Sequence, residues 1–262
     1  VITQEQLAGY GQDFLADILR NIPGLAVSRN GGVAGLTQVR VRGSEANHIL
    51  VLVDGVEVND VAQGSEFNFA SLNVADIERV EILRGPQSAL WGSGAIGGVI
   101  NIITKTGEGD LSVATGYEYG TIGEHYWRTS VSQQQDNLRW RLGVSTTRSD
   151  GENVSLQGDE KDGFEGNYVN GKVEYQASDN VSILASFSHQ KTENQFDNTD
   201  WSTGLLADSD QLTESQATSA QLLFTHQAPG NPWKNQFGYK SNQTDNEQFA
   251  FGAENGDNKG HK

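Results

Sequence analysis

Residues 77–105 read IERVEILRGPQSALWGSGAIGGVINIITK, and the fold follows from how they are parsed. The alternation Val80-Glu81-Ile82-Leu83 turns at Arg84-Gly85-Pro86, passes Gly92, Gly94, Gly97 and Gly98, and enters the run Val99-Ile100-Asn101-Ile102-Ile103-Thr104. β-Branched residues suit a pleated, half-buried surface, and glycines serve where the backbone takes positive φ or approaches another backbone. The stretch therefore predicts two strands of a compact α+β domain, joined by a tightly packed loop and a short helical turn.

Gly92-Ser93-Gly94-Ala95-Ile96-Gly97 also satisfies GxGxxG. A dinucleotide cradle needs those glycines to open a helix, whose first amides hold the pyrophosphate. Here they open into a strand, which argues against a nucleotide site.

Working upstream, Phe14, Leu15, Ile18 and Leu19 form one apolar stripe over residues 12–20, a short amphipathic helix ended by Pro23-Gly24. Leu25-Ala26-Val27-Ser28-Arg29 reads as a strand and Asn30-Gly31-Gly32 as a turn. Val39-Arg40-Val41-Arg42-Gly43 alternates apolar with cationic, which gives a strand with one buried face. Ile49-Leu50-Val51-Leu52-Val53 is apolar on both faces and is expected to be the central strand. Asp54-Gly55 is a hairpin signal leading to Val56-Glu57-Val58, and residues 73–78 suggest a short helix starting near Asn73 or Asp76.

These segments together resemble the plug domain of TonB-dependent outer-membrane transporters. Within that family, the stretch from Asn30-Gly31-Gly32 to His48-Ile49-Leu50-Val51-Leu52-Val53-Asp54-Gly55-Val56 is most similar to the cobalamin transporters. The resemblance implies a plug over residues 1–106, followed over 107–262 by the N-terminal strands of an antiparallel transmembrane β-barrel. It implies ligand contacts at the plug's apical loops, carried onto Leu36, Thr37 and Gln38, onto Glu45, Ala46 and Asn47, and onto Gln63 and Phe67. It also implies that TonB is a partner, through an N-terminal box upstream of Val1. On either a plug or a plain surface reading, Arg40, Arg42 and Arg84 call for carboxylate partners, because lone charges are rarely buried unpaired. A plug inside a barrel would find them on the wall.

Composition agrees with strands and loops. Glycine makes up about 7% of ordinary domains, whereas this chain has 31 glycines in 262 residues. No apolar run approaches the ~18 residues of a membrane helix, although barrel strands hide their hydrophobicity in alternation. With 34 acids against 18 bases the net charge is −16, which opposes nucleic-acid binding. There is no cysteine, so disulfides and thiolate chemistry are excluded. A chain that begins at Val1 and has no methionine is expected to be a processed or truncated piece.

Beyond Gly107 the texture is alternation. Leu111, Val113, Tyr117 and Tyr119 share one face, as do Leu138, Trp140, Leu142 and Val144, then Val181, Ile183, Ala185 and Phe187. The opposite faces carry Arg139, Arg141, Lys172, Glu174, Ser182 and Ser186. A soluble sandwich would alternate too. Short connections at Gln135-Asp136-Asn137, Ala177-Ser178-Asp179-Asn180 and Pro229-Gly230-Asn231-Pro232 face long ones at 148–166 and 191–216, the asymmetry of an outer-membrane barrel with aromatics at its interfaces. Such a barrel faces outer-membrane lipid and lipopolysaccharide. Seven strands, with an eighth near 249–253, cannot enclose a plug, since plugged transporters need ~22.

The two long connections hold twelve of the 34 acids. Asp159, Glu160 and Asp162 in the first, with Asp208 and Asp210 in the second, are candidate Ca2+ ligands, because calcium takes six to eight oxygens from flexible loops. The cobalamin transporters are similar in having calcium-ordered acidic loops at corresponding places; Lys161 and an inexact register depart from them. No catalytic constellation is present, so an enzyme is not expected. The leading expectation is a Gram-negative outer-membrane transport receptor for cobalamin or another corrinoid. A siderophore or haem receptor of the same family stays open, as does a calcium-ordered β-rich surface binding or adhesion module.

Overall fold

The protein was analysed as a computed structural model. The structure describes residues 1–30, 35–70, 72–121, 123–153, 155, 158, 160–230, 232–250 and 253–261. Gly31, Gly32, Asn231 and Asp159 of the readings above lie outside the described residues.

The first hundred residues form a mixed domain. Strand β1 (Ile2–Thr3) leads into helix α1 (Gln4–Gly9) and helix α2 (Leu15–Leu19). A hairpin follows, β2 (Leu25–Arg29) with β3 (Thr37–Val41), then β4 (Ile49–Val53), β5 (Val56–Glu57), β6 (Ile77–Arg84), α3 (Ser88–Trp91) and β7 (Gly98–Thr104). The main sheet has the order β1-β6-β7-β4-β5, with β4 parallel to β7. The middle strand is thus β7 rather than β4. Apolarity on both faces reports two-sided burial, which any interior strand has. Leu15, Ile18, Val39, Ile49, Val51, Phe69, Val80, Ile100 and Ile102 are among the residues that close one core.

The quoted stretch folds as expected: β6 and β7 pair antiparallel around α3. The glycines between them permit close approach. A Cβ on Gly98 would lie 2.5 Å from the carbonyl oxygen of Leu83 on the paired strand.

Beyond Gly107 the chain builds one eight-stranded antiparallel meander: β8 (Ser112–Tyr119), β9 (His125–Gln135), β10 (Leu138–Ser149), β11 (Phe164–Ser178), β12 (Val181–Asp200), β13 (Leu205–His226), β14 (Asn235–Ala250) and β15 (Ala253–His261). The meander is not closed: β8 and β15 are its two edges. Its outer face is apolar and exposed, with cross-strand neighbours such as Tyr117–Trp127, Leu222–Tyr239 and Phe224–Phe237. Its inner face is polar and meets the plug. No helix among the described residues is long and apolar enough to cross a membrane.

The stretch 191–216 differs from its reading as a loop. Pairing between β12 and β13 continues to Asp200↔Leu205, leaving only a tip at residues 201–204. Here both faces are polar, as in Thr192↔Ser215 on the inner face and Glu193↔Glu214 on the outer, so the period-2 signal vanishes although the backbone ladder persists.

Substituting Gly98→Ala is expected to destabilise the plug by about 1–3 kcal/mol, the usual range for overpacking. The obstacle is backbone and cannot swing away. Denaturant unfolding followed by near-UV circular dichroism measures this.

Candidate functional site: a plug clamped to a barrel wall beneath a polar cavity

The plug meets the wall through its turn tips. Asp54 and Gly55 both have positive φ, 50° and 83°, the geometry of a two-residue type I′ hairpin between β4 and β5. This tip points at the inner face of the meander. Asp54 Oδ1 accepts from Lys172 Nζ at 2.9 Å, and both side chains are 6% exposed. The same carboxylate accepts from the Thr104 amide at 3.0 Å and from its hydroxyl. Gln221 donates to the Asp54 carbonyl at 2.9 Å, and Lys240 donates to that of Gly55.

A second contact comes from the short 3-10 turn Val74–Asp76, capped by Asn73, whose side chain accepts from the Ala75 amide at 2.8 Å. Asp76 Oδ1 pairs with Arg141 Nη2 at 2.6 Å. Arg139 donates to the carbonyl of Gly107 and the hydroxyl of Thr106, and Phe14 packs against Tyr126 with ring centroids 6.4 Å apart.

The plug–wall ion pairs therefore run opposite to expectation: the carboxylates are on the plug and the cations on the wall. Arg40 instead donates to Ser28 Oγ and Gln38 Oε1 within its own hairpin, both at 3.0 Å. Arg42 and Arg84 are exposed and flank Gly24, and among the described residues neither pairs with the wall. The reason is local. Turn tips and 3-10 N-termini favour Asp and Asn, whereas Lys and Arg lay long stems along a strand and reach inward.

Above this contact layer, on the side of the long connections, lies a cavity of about 770 Å3. Its floor is the plug: Leu36, Gln63, Glu66, Phe67, Asn68 and Ala70. Its wall is β12 to β14, including Asn194, Thr213, Ser215, Thr244 and Gln248, with Phe164 and Phe196 adding aromatic surface. Asp60 accepts from Asn246 at 2.7 Å and ties floor to wall.

Three of the eight predicted ligand residues, Leu36, Gln63 and Phe67, line this cavity. Thr37 is wholly buried just beneath, donating to the Gly35 carbonyl and accepting from Arg29. Gln38 donates to Glu66, holding a lining carboxylate in place. Glu45, Ala46 and Asn47 lie elsewhere. They open the 3-10 turn Ala46–His48, whose His48 carbonyl accepts from the Gly97 amide at 2.7 Å, and they do not line the cavity.

The acidic connections converge at the cavity rim. One carboxylate oxygen each from Glu160, Asp197 and Asp208 lies within 4.8 Å of the others, an arrangement able to hold a metal ion. The carboxyl of Glu160 is held above its ordinary range by burial first, then by Asp208, Asp210, Asp162 and Asp197. Asp197 Oδ2 and Asp208 Oδ1 are buried without a hydrogen-bond partner among the described residues. Of the predicted ligands, Glu160 and Asp208 belong to this triad; Asp162 is buried beside Glu152, to whose carbonyl its amide donates, and Asp210 is exposed. Asp197 enters unforeseen. A register shift between Phe196 and Asn198 reverses the facing of alternate residues and turns it inward.

A self-contained plug clamped by its turn tips to an open antiparallel wall, beneath a polar cavity, is the fold of part of a plugged β-barrel. Residues 1–99 match the family described as the TonB-dependent Receptor Plug Domain. The whole chain is similar in fold to the siderophore receptor PirA of Acinetobacter baumannii, with TM-score 0.75 and 22% identity over 99% of this chain and 43% of that one. It is likewise similar to a variant of the ferric enterobactin receptor PfeA of Pseudomonas aeruginosa in complex with enterobactin (TM-score 0.71, 19% identity, 95% and 41% covered). The alcaligin outer membrane receptor FauA of Bordetella pertussis also matches (TM-score 0.70, 17% identity, 94% and 39% covered). The chain spans about two fifths of the length of these receptors.

Removing the wall cation strands a buried carboxylate, so Lys172→Ala is expected to cost about 3–5 kcal/mol. Lys191, whose pair with Glu193 is 41% and 42% exposed, is the control. Lys191→Ala should cost no more than about 1 kcal/mol. Denaturant midpoints of the full-length protein distinguish the two.

Proposed function

We propose that the protein is the plug and adjoining barrel wall of a TonB-dependent outer-membrane receptor that takes up a scarce metal chelate of the siderophore class. The observation that carries this is the cavity of about 770 Å3 floored by plug loops and walled by the long strands. It is within the size range of small-molecule sites and mixes aromatic surface with dispersed hydrogen-bonding groups. The siderophore and enterobactin receptors that share the fold support a chelate over the corrinoid reading. TonB is the energy-transducing partner this reading implies, and the exposed apolar band of the meander is the surface that lipid and lipopolysaccharide would cover. Binding is non-covalent enclosure, with no bond made or broken in the ligand.

The rim triad supports a second component, a divalent cation such as Ca2+ held by Glu160, Asp197 and Asp208. It would tie the β10–β11 connection to the β12–β13 hairpin by neutralising their mutual repulsion, hard carboxylate oxygens being the ligands calcium prefers.

Titration of ferric siderophores and of cyanocobalamin into the detergent-solubilised full-length receptor tests the ligand class. Saturable binding of a ferric chelate, with none of cyanocobalamin, is the expected result; the reverse pattern would restore the corrinoid. For the cation, calcium should slow proteolysis of residues 150–163, and Asp208→Asn should weaken that protection by ~10-fold or more in calcium concentration, about 1.4 kcal/mol. Equal protection in the variant would remove the site.

A further inference from the structure

The charge lining the cavity narrows the ligand further, on the basis of the receptor reading above. Three carboxylates face the space, Asp60 and Glu66 from the plug and Asp197 from the wall, against a single guanidinium, Arg29. That cation is already engaged: Arg29 Nη2 lies 3.5 Å from Asp17 Oδ1, and its Nε donates to Thr37 at 3.2 Å. The partners of Asp60 and Glu66 are amides, from Asn246, Ala62 and Gln38, which orient the carboxylates without neutralising them. The rest of the polar lining is amide and hydroxyl, Asn194, Thr213 and Gln248 among it. Even with a divalent cation on Glu160, Asp197 and Asp208, Asp60 and Glu66 would keep the floor negative.

We infer that the floor and wall this chain contributes to the site favour a metal chelate with no net negative charge. The fitting chemistry is the ferric tris-hydroxamate kind, neutral or cationic, whose amide and hydroxamate oxygens meet amide and hydroxyl donors. A ferric tris-catecholate, which carries three negative charges, brings like charges against Asp60 and Glu66 where partial exclusion of water weakens screening. Arginine or lysine clusters favour anionic ligands, and the described lining carries only Arg29.

The test is competitive binding to the full-length receptor of ferrioxamine B, a cationic tris-hydroxamate, and ferric enterobactin, a tris-catecholate, at two ionic strengths. Ferrioxamine B should bind at least ~100-fold tighter, consistent with a few like-charge contacts at intermediate dielectric. The ratio should shrink by ~10-fold in the pair of substitutions Asp60→Asn and Glu66→Gln, and also shrink at high salt. Equal or tighter binding of the tris-catecholate by the unsubstituted receptor would overturn the charge assignment and leave the chelate-receptor reading standing. Binding of neither chelate, with the protein shown folded by its circular dichroism, would overturn the receptor reading and this inference with it.

Discussion

The pairing of Asp54 with Lys172 is the constraint on which the relative placement of plug and wall depends. One carboxylate at a hairpin tip orders three things: it accepts from the Thr104 amide and hydroxyl, fastening β4–β5 to the end of β7, and it accepts from Lys172 on the wall. Lys172 in turn donates to the Thr104 carbonyl at 3.0 Å, closing a small ring of charge-assisted bonds. Such a pair stabilises little beyond what an apolar replacement could give, because both ions lose water. Its value is directional. Moving the hairpin would part Asp54 from Lys172 and leave the lysine with only the more distant Glu174, 3.7 Å away, so the pair favours the observed orientation of the plug.

That choice of contact shapes the whole interface. Among the described residues, the main apolar core of the plug draws on residues up to Ile102, so the plug has a core of its own. Between the two bodies run mostly discrete polar contacts, Asp54–Lys172, Asp76–Arg141, Gln221 to Asp54 and Asn246 to Asp60, with Phe14 against Tyr126 the apolar exception. Water can replace a polar contact at modest net cost, about 0.5–1.5 kcal/mol for a neutral hydrogen bond, whereas a shared apolar core resists separation in proportion to its area. Under the receptor reading, this is the interface a plug needs if it is to be remodelled without unfolding.

Much of this was legible in the residues, and the illegible parts share a cause. The β6–turn–β7 unit, the Asp54-Gly55 hairpin and the Asn73 cap rest on local chemistry, and local chemistry is written in local sequence. So is the α1 helix, whose Thr3 and Gln6 form a reciprocal capping box; the T-x-x-Q signal was there to be used. What depends on other chains of contact was not. The polarity of the plug–wall ion pairs depends on which strands face which turn. The position of β4 beside rather than at the centre of the sheet depends on strand order. The place of Asp197 in the rim triad depends on a register shift between two strands, and a bulge leaves no mark in the hydrophobic pattern when both faces are already polar.

The same alternation explains why the cavity lies where it does. On β12 the apolar outward set Val181, Ile183, Ala185 and Phe187 leaves the even-numbered residues facing in, and that parity continues upward through Gln190, Thr192 and Asn194. On β13, Leu222 and Phe224 face out, and Thr213, Ser215 and Ala217 face in by the same count. Low on the strands, inward positions answer to the plug, and Lys172, Gln221 and Lys240 are fixed by the carboxylate and carbonyls they must reach. Higher up, the outward positions are no longer greasy and the inward ones no longer touch the plug's hairpin tip. Residues there are released from both demands, yet the unbroken ladder keeps them rigidly placed. A strand extended past its structural obligations is a framework on which inward side chains can vary, and under the receptor reading proposed above the polar, cation-poor lining between Gln190 and Gln248 is where ligand chemistry is free to be written.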